Sequence, residues 1–344
     1  MTELTTLLES ERKFYQNEKE TAEFATNVRE KFEKAFGVSG IDKILSGTDT
    51  KASLISCGDR NRNKSLLSKI LNNTELMVFG SVNTTTTTQI PLYFEESSGK
   101  YKYGKEYLTD RTAEERSRKI FELLKSIIEH INSNKPTKKE DYKTIEKYIE
   151  TLVSRTGVKN TFVKQNGKVK SWLMKYLNII FPESFCSFYA PWWLESILNG
   201  IGEKYDNEES EFINNGLLSL KINDAMPNGM SKDFAYRIIL NCFDDRAFVF
   251  GADLDMYDCE KAFEENGFVD WSCDWKEVER HSVVYLYVTE AGKEGRIRYK
   301  CVVDKKLTKE ETIDDSKFWK KSADLKGTKF VRLVLKNTLK RFES

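Results

Sequence analysis

Three runs near the carboxyl end constrain the chain most: VVYLYVT at 283–289, GRIRYKCVVD at 295–304 and TKFVRLVLK at 328–336. Each is rich in Val, Ile, Tyr and Phe and bounded by turn-forming residues, which is the pattern of a β-strand. Alternation along the first puts Val284, Leu286 and Val288 on one face and Tyr285 and Tyr287 on the other. Upstream, RAFVFGA and GFVDW read as shorter strands, with YDCEKAFEEN a short helix between them and SKFWKK another before the last strand. Short strands wrapping within so small a span predict a closed barrel rather than an open sheet.

The rest of the chain is mostly helical. Leu4, Leu7, Leu8, Phe14, Phe24, Val28, Phe32 and Phe36 recur at helical spacing up to Gly37 and Gly40, which end the pattern. The stretch from Thr74 to Leu108, with five threonines at 84–88 and a Ser-Gly turn, predicts strands joined by a hairpin. Helices follow over about 112–131 and 138–154, the first carrying Ile120, Leu123, Leu124, Ile127, Ile128 and Ile131 on one face. From Lys170 the run SWLMKYLNIIFPESFCSFYAPWWLESILNGIG reads as a packed helix, turn and helix. The expected organisation is a multi-domain α+β protein: a mixed region over 1–155, a helical aromatic-rich unit over 156–242 and a barrel over 243–344.

Charge narrows the function. Lys and Arg number 55 against 54 Asp and Glu in 344 residues, so neither a basic tail nor an acidic disordered chain is described. The balance is local: residues 201–275 hold seventeen acidic and six basic side chains, whereas 276–344 hold eighteen basic and eleven acidic, and 101–175 eighteen and ten. No apolar run reaches the length of a membrane span, and the acidic start is unlike a signal peptide; a soluble, cytoplasmic protein is expected. Six single cysteines and two histidines, His130 and His281, point away from a disulfide framework or a structural zinc site.

Catalytic readings lack their residues. GDRNRNKS at 58–65 has Asn63 where a phosphate loop needs its second Gly, and reads as a polar turn before a helix. Neither histidine stands in a nucleophile-like context. The cluster Asp253, Asp255, Asp258 and Glu260-Lys261 is the one candidate for holding a nuclease metal, but it lies at a helix start, where carboxylates serve as caps. No cofactor is expected.

Aromatic residues say more. Tyr257, Trp271, Trp275, Tyr285, Tyr287, Trp319 and Phe330 crowd the last ninety residues, beside Arg296, Arg298 and Lys300. Rings that stack on bases and cations that hold phosphates are the equipment of a nucleic-acid reader; packing within a core is the competing use of the same rings.

The run YDCEKAFEENGFVDWSCDWKEVERHSVVYLYVTEAGKEGRIRYKCVVDKK resembles the EVE domain, a PUA-like barrel related to the YTH domains that read modified adenine. The likeness covers about 245–344. The segment GKVKSWLMKYLNIIFPESFCSFYAPWWLESIL resembles a region of McrB-type restriction proteins that precedes a GTPase motor, and FGSVNTTTTTQIPLYFEESSGKY is similar to their amino-terminal region. Together the resemblances imply the specificity component of a modification-dependent restriction or anti-phage defence system, which flips a modified base out of duplex DNA into an aromatic cage. They place Trp271 as the first cage wall, Trp319, Tyr257 and Tyr285 as further walls, Asp258 or Asp270 at the base edge, and Arg296, Arg298 and Lys300 on the backbone. Where the family has Gly-Asp before its Val-Tyr strand, this chain has His281-Ser282. The implied partners are DNA carrying a modified base and a separate GTPase or ATPase motor and nuclease; a metal-dependent nuclease, a nucleotide hydrolase and a modified-RNA reader are the alternatives.

Overall fold

A computed structural model describes residues 3–15, 18–46, 66, 70, 74–82, 91–95, 97–243, 247–273, 275, 278–321 and 329–339. The protein is mixed α+β, with two sheets, and divides into two compact units, Met1–Arg237 and Ile238–Ser344. GDRNRNKS and the five threonines lie outside the described residues.

The first unit opens on three helices where one continuous pattern was expected: α1 (Glu3–Arg12), α2 (Glu18–Phe36) and α3 (Val38–Ser46). Gly37 stands between the last two, and a Cβ there would lie 2.6 Å from the Glu33 carbonyl oxygen. Thr74–Phe79 is a 3-10 turn rather than a strand, with Leu76 and Phe79 turned inward. The expected hairpin lies later, as β1 (Leu92–Glu95), β2 (Lys100–Tyr103) and β3 (Glu106–Leu108) in one antiparallel sheet.

Among the described residues seven further helices follow: α4 (Asp110–Ser133), α5 (Lys139–Ser154), α6 (Lys159–Phe162), α7 (Ser171–Ile180), α8 (Pro191–Gly200), α9 (Glu211–Ala225) and α10 (Lys232–Phe243), the last running on past Arg237. Thr109 caps α4 by accepting from the Thr112 N–H at 3.2 Å, and the apolar stripe from Ile120 to Ile131 is buried. The boundary expected near 155 does not divide the unit. Ile149 and Val153 share one core with Phe162 and Trp172.

The aromatic-rich segment between α7 and α8 is an irregular stretch sunk in this core, and its backbone groups find partners on side chains. Asn215 of α9 accepts from Cys186 N at 3.2 Å and donates to the carbonyls of Cys186 and Phe188 at 2.9 and 2.6 Å. The Tyr142 and Tyr236 hydroxyls donate to the carbonyls of Ser184 and Phe185 at 2.6 and 3.1 Å. Tyr142 reaches its place because Gly216 has no side chain; a Cβ there would meet the ring.

The second unit is a five-stranded sheet in the order β4 (Ala247–Asp253), β6 (Val283–Glu290), β7 (Lys293–Thr308), β8 (Lys329–Thr338), β5 (Phe268–Ser272). Among the described residues only the β4–β6 pair is parallel. The sheet is open: β4 and β5 form its edges and do not pair with each other among the described residues, so the closed barrel expected from the strand runs is not what the pairing gives. Alternation identifies strands, but closure depends on which edges meet, and the chain crosses from β4 through α11 (Cys259–Asn266) to the far edge. Val284, Leu286, Val269, Leu333 and Phe263 fill the core on the α11 side. No helix among the described residues is long and apolar enough to cross a membrane.

Candidate functional site

Tyr257, Trp319 and Trp271 come together in the second unit. Residues 256–258 lie antiparallel to 318–320: the N–H of Asp258 donates to the Phe318 carbonyl at 2.9 Å, and the N–H of Lys320 donates to Met256 at 2.8 Å. That short ladder pairs Tyr257 with Trp319, whose ring centroids are 4.8 Å apart. Trp271, on edge strand β5 opposite Val331, meets the Tyr257 ring nearly perpendicular at 5.9 Å. Tyr257 is buried, while both indoles are half-buried.

One carboxylate ties the cluster. Asp315 accepts from the Trp319 indole Nε1 at 3.0 Å. Burial, with the Asp315 carboxylate beside it, pushes the Tyr257 phenol well above its ordinary range, so the hydroxyl stays protonated. Sequence reasoning missed Asp315. The signal was present: a half-buried indole N–H needs an acceptor, and an Asp four residues before a Trp in a short turn can supply it.

Other expected residues lie elsewhere. Asp270 neighbours Trp271 in sequence and therefore faces the opposite side of β5. There its side chain, 2% exposed, accepts from Arg332 Nε and Nη2, both at 2.8 Å, and from the Ile313 N–H at 3.0 Å. Asp258 caps α11 by accepting from the Lys261 N–H at 3.2 Å, with the Lys320 ammonium 3.7 Å away. The other acidic candidates are similarly engaged: Asp253 accepts from Asp255 N, Asp255 from Ala291 N, and Glu260 from Arg298.

Arg296, Arg298 and Lys300 do not form one row. Leu286 pairs with Tyr299 but Tyr287 with Ile297, leaving Arg298 as the extra residue of a β-bulge. The bulge turns Arg298 to the α11 side, where both Glu260 oxygens accept from Nη2 at 2.7 and 2.8 Å. Lys300 pairs with Tyr285 on the opposite face, away from the Tyr257 cluster; Tyr285 lies on β6, three strands from Trp271. Arg296 is exposed opposite Val288.

His281 takes a left-handed backbone, φ 71°, the one non-glycine among the described residues to do so. This is a conformation that glycine adopts without strain. Ser282 Oγ accepts from the Glu279 N–H at 3.0 Å, so a hydroxyl closes the turn.

Comparison with protein-family profiles, with curated proteins and with solved structures finds no match to this chain.

Proposed function

We propose that the second unit reads a modified base in DNA, extruded from the duplex and laid between Trp271 and Trp319 with Tyr257 as the floor. One observation carries the reading: two half-buried indoles flank a buried tyrosine, and Asp315 fixes the donor of Trp319. Two rings that sandwich a planar base stand about 7 Å apart, twice a carbon–carbon contact. The pairs with Tyr257 are closer than that, so the proposed slot is the one between the two indoles. Among the described residues these make no ring contact with each other. Stacking on two faces supplies energy, and the floor senses a group added to the base edge.

The resemblance to the EVE domain supports the same reading, with the open sheet standing for its PUA-like barrel. A specificity component of a modification-dependent restriction or defence system, working with a separate motor and nuclease, is the context this implies. The test is 2-aminopurine placed beside the modified base in a duplex. Extrusion unstacks the probe and raises its fluorescence on addition of the full chain; no rise with any modified duplex, while binding occurs, overturns base flipping.

A further inference from the structure

The face of the second unit's sheet turned away from α11 carries large apolar side chains in the open. Val249 on β4, Tyr287 on β6 and Ile297 on β7 are 51%, 41% and 42% exposed and sit on three adjacent strands. Tyr285 links them: it pairs with Val249 on one side and with Lys300 on the other. The Tyr287 side chain leans across to β7, its phenol end occupying the space where a Cβ on Gly295 would stand. The residue stays open to solvent in that position.

Two tyrosines in alternate positions of one strand make a stacking surface roughly 7 Å long. Two cations on this face have spare charge. Arg280, Arg298, Lys306, Lys317, Lys320 and Arg332 all hold acidic partners. Lys300 and Lys305 hold none among the described residues, although both lie on the tyrosine face by register, Lys300 opposite Tyr285 and Lys305 opposite Arg332. A peptide strand would add at a sheet edge, where backbone groups are free, and gains nothing from the middle of a face. Flat rings with unneutralised ammonium groups suit unpaired bases and their phosphates.

We propose that this face, built on Tyr285, Tyr287, Val249 and Ile297 with Lys300 and Lys305, is a platform for single-stranded nucleic acid, separate from the indole cleft. It goes beyond the base-reading proposal and stands without it.

The test is anisotropy of labelled, unmodified single strands of about twelve nucleotides, as DNA and as RNA, with the full chain between about 50 and 200 mM salt. Binding that weakens with salt is expected. Tyr287→Ala and Tyr285→Ala should each weaken it roughly tenfold, the loss of one stacked base. Lys300→Gln should lower the salt slope by about one. Tyr285→Leu keeps the half-buried position filled, so a loss of binding with normal thermal unfolding reads stacking alone. Stronger binding of one strand type assigns DNA or RNA to the platform. Absence of binding, or binding indifferent to both tyrosines, overturns the proposal; loss with Trp271→Ala but not with the tyrosines also overturns it, and assigns the strand to the cleft.

Discussion

Asp270→Ala separates a structural carboxylate from one that touches a base. In the folded protein Asp270 accepts two hydrogen bonds from Arg332 at 2.8 Å and one from the Ile313 N–H at 3.0 Å, with 2% of its side chain exposed. The Arg332 guanidinium also lies 4.1 Å from the Phe268 ring centroid. Its attachment to Asp270 holds Arg332 above its ordinary range. Removing one member of a buried ion pair costs about 3–5 kcal/mol, because the other charge is left uncompensated. Arg332 is 16% exposed, so water recovers part of that, and about 3 kcal/mol of lost stability is expected. Asp270→Ala combined with Arg332→Met removes the stranded charge and should recover most of the loss. Denaturant unfolding of the full chain, followed through tryptophan fluorescence, measures both. A loss under about 1 kcal/mol, or a double variant no better than the single, refutes the reasoning and returns Asp270 to the base edge.

Three further outcomes follow from the first unit. Asn215→Ala strands the Cys186 N–H and two carbonyls in the core and should cost about 3 kcal/mol by chemical denaturation, with normal helix content by circular dichroism. Gly216→Ala drives a methyl group into the Tyr142 ring and should cost roughly 1–3 kcal/mol, whereas Gly229→Ala, where a Cβ meets nothing, should show only the smaller backbone penalty of its φ of 73°. Burial lowers the Lys175 ammonium from its ordinary 10.5 to about 8, so between those pH values the unfolded chain holds a proton the folded one has released. Stability should therefore rise with pH across that window, by about 3 kcal/mol at most for this group. Lys175→Met should reduce the slope and raise stability at neutral pH; an unchanged slope contradicts the assignment.

The strands and most helices were legible because their signal is local. The stripe from Ile120 to Ile131 and the alternation through Val284 and Leu286 are periodicities that burial reproduces residue by residue. What the sequence hid is non-local. The open sheet depends on edges far apart in the chain, and the extra residue at Arg298 shifts phase without any mark in the alternation around it. The same limit applies to the site. Tyr257, Trp271 and Trp319 lie together, but Asp270 is spent on Arg332 and Tyr285 stands on the other face, since one step along a strand reverses the direction of a side chain. The left-handed backbone at His281 was not read from the sequence; the backbone angle shows it.

The base-reading account meets its most direct test in binding to duplexes of one sequence, differing only in carrying no modification, methylated or hydroxymethylated cytosine, or methylated adenine. Measured at one fixed salt, the full chain should prefer one modified duplex, and Trp271→Ala should abolish the preference while leaving the salt-dependent background binding in place. Equal binding to every duplex, unchanged by Trp271→Ala, would contradict it and leave Trp271, Trp319 and Tyr257 as packing.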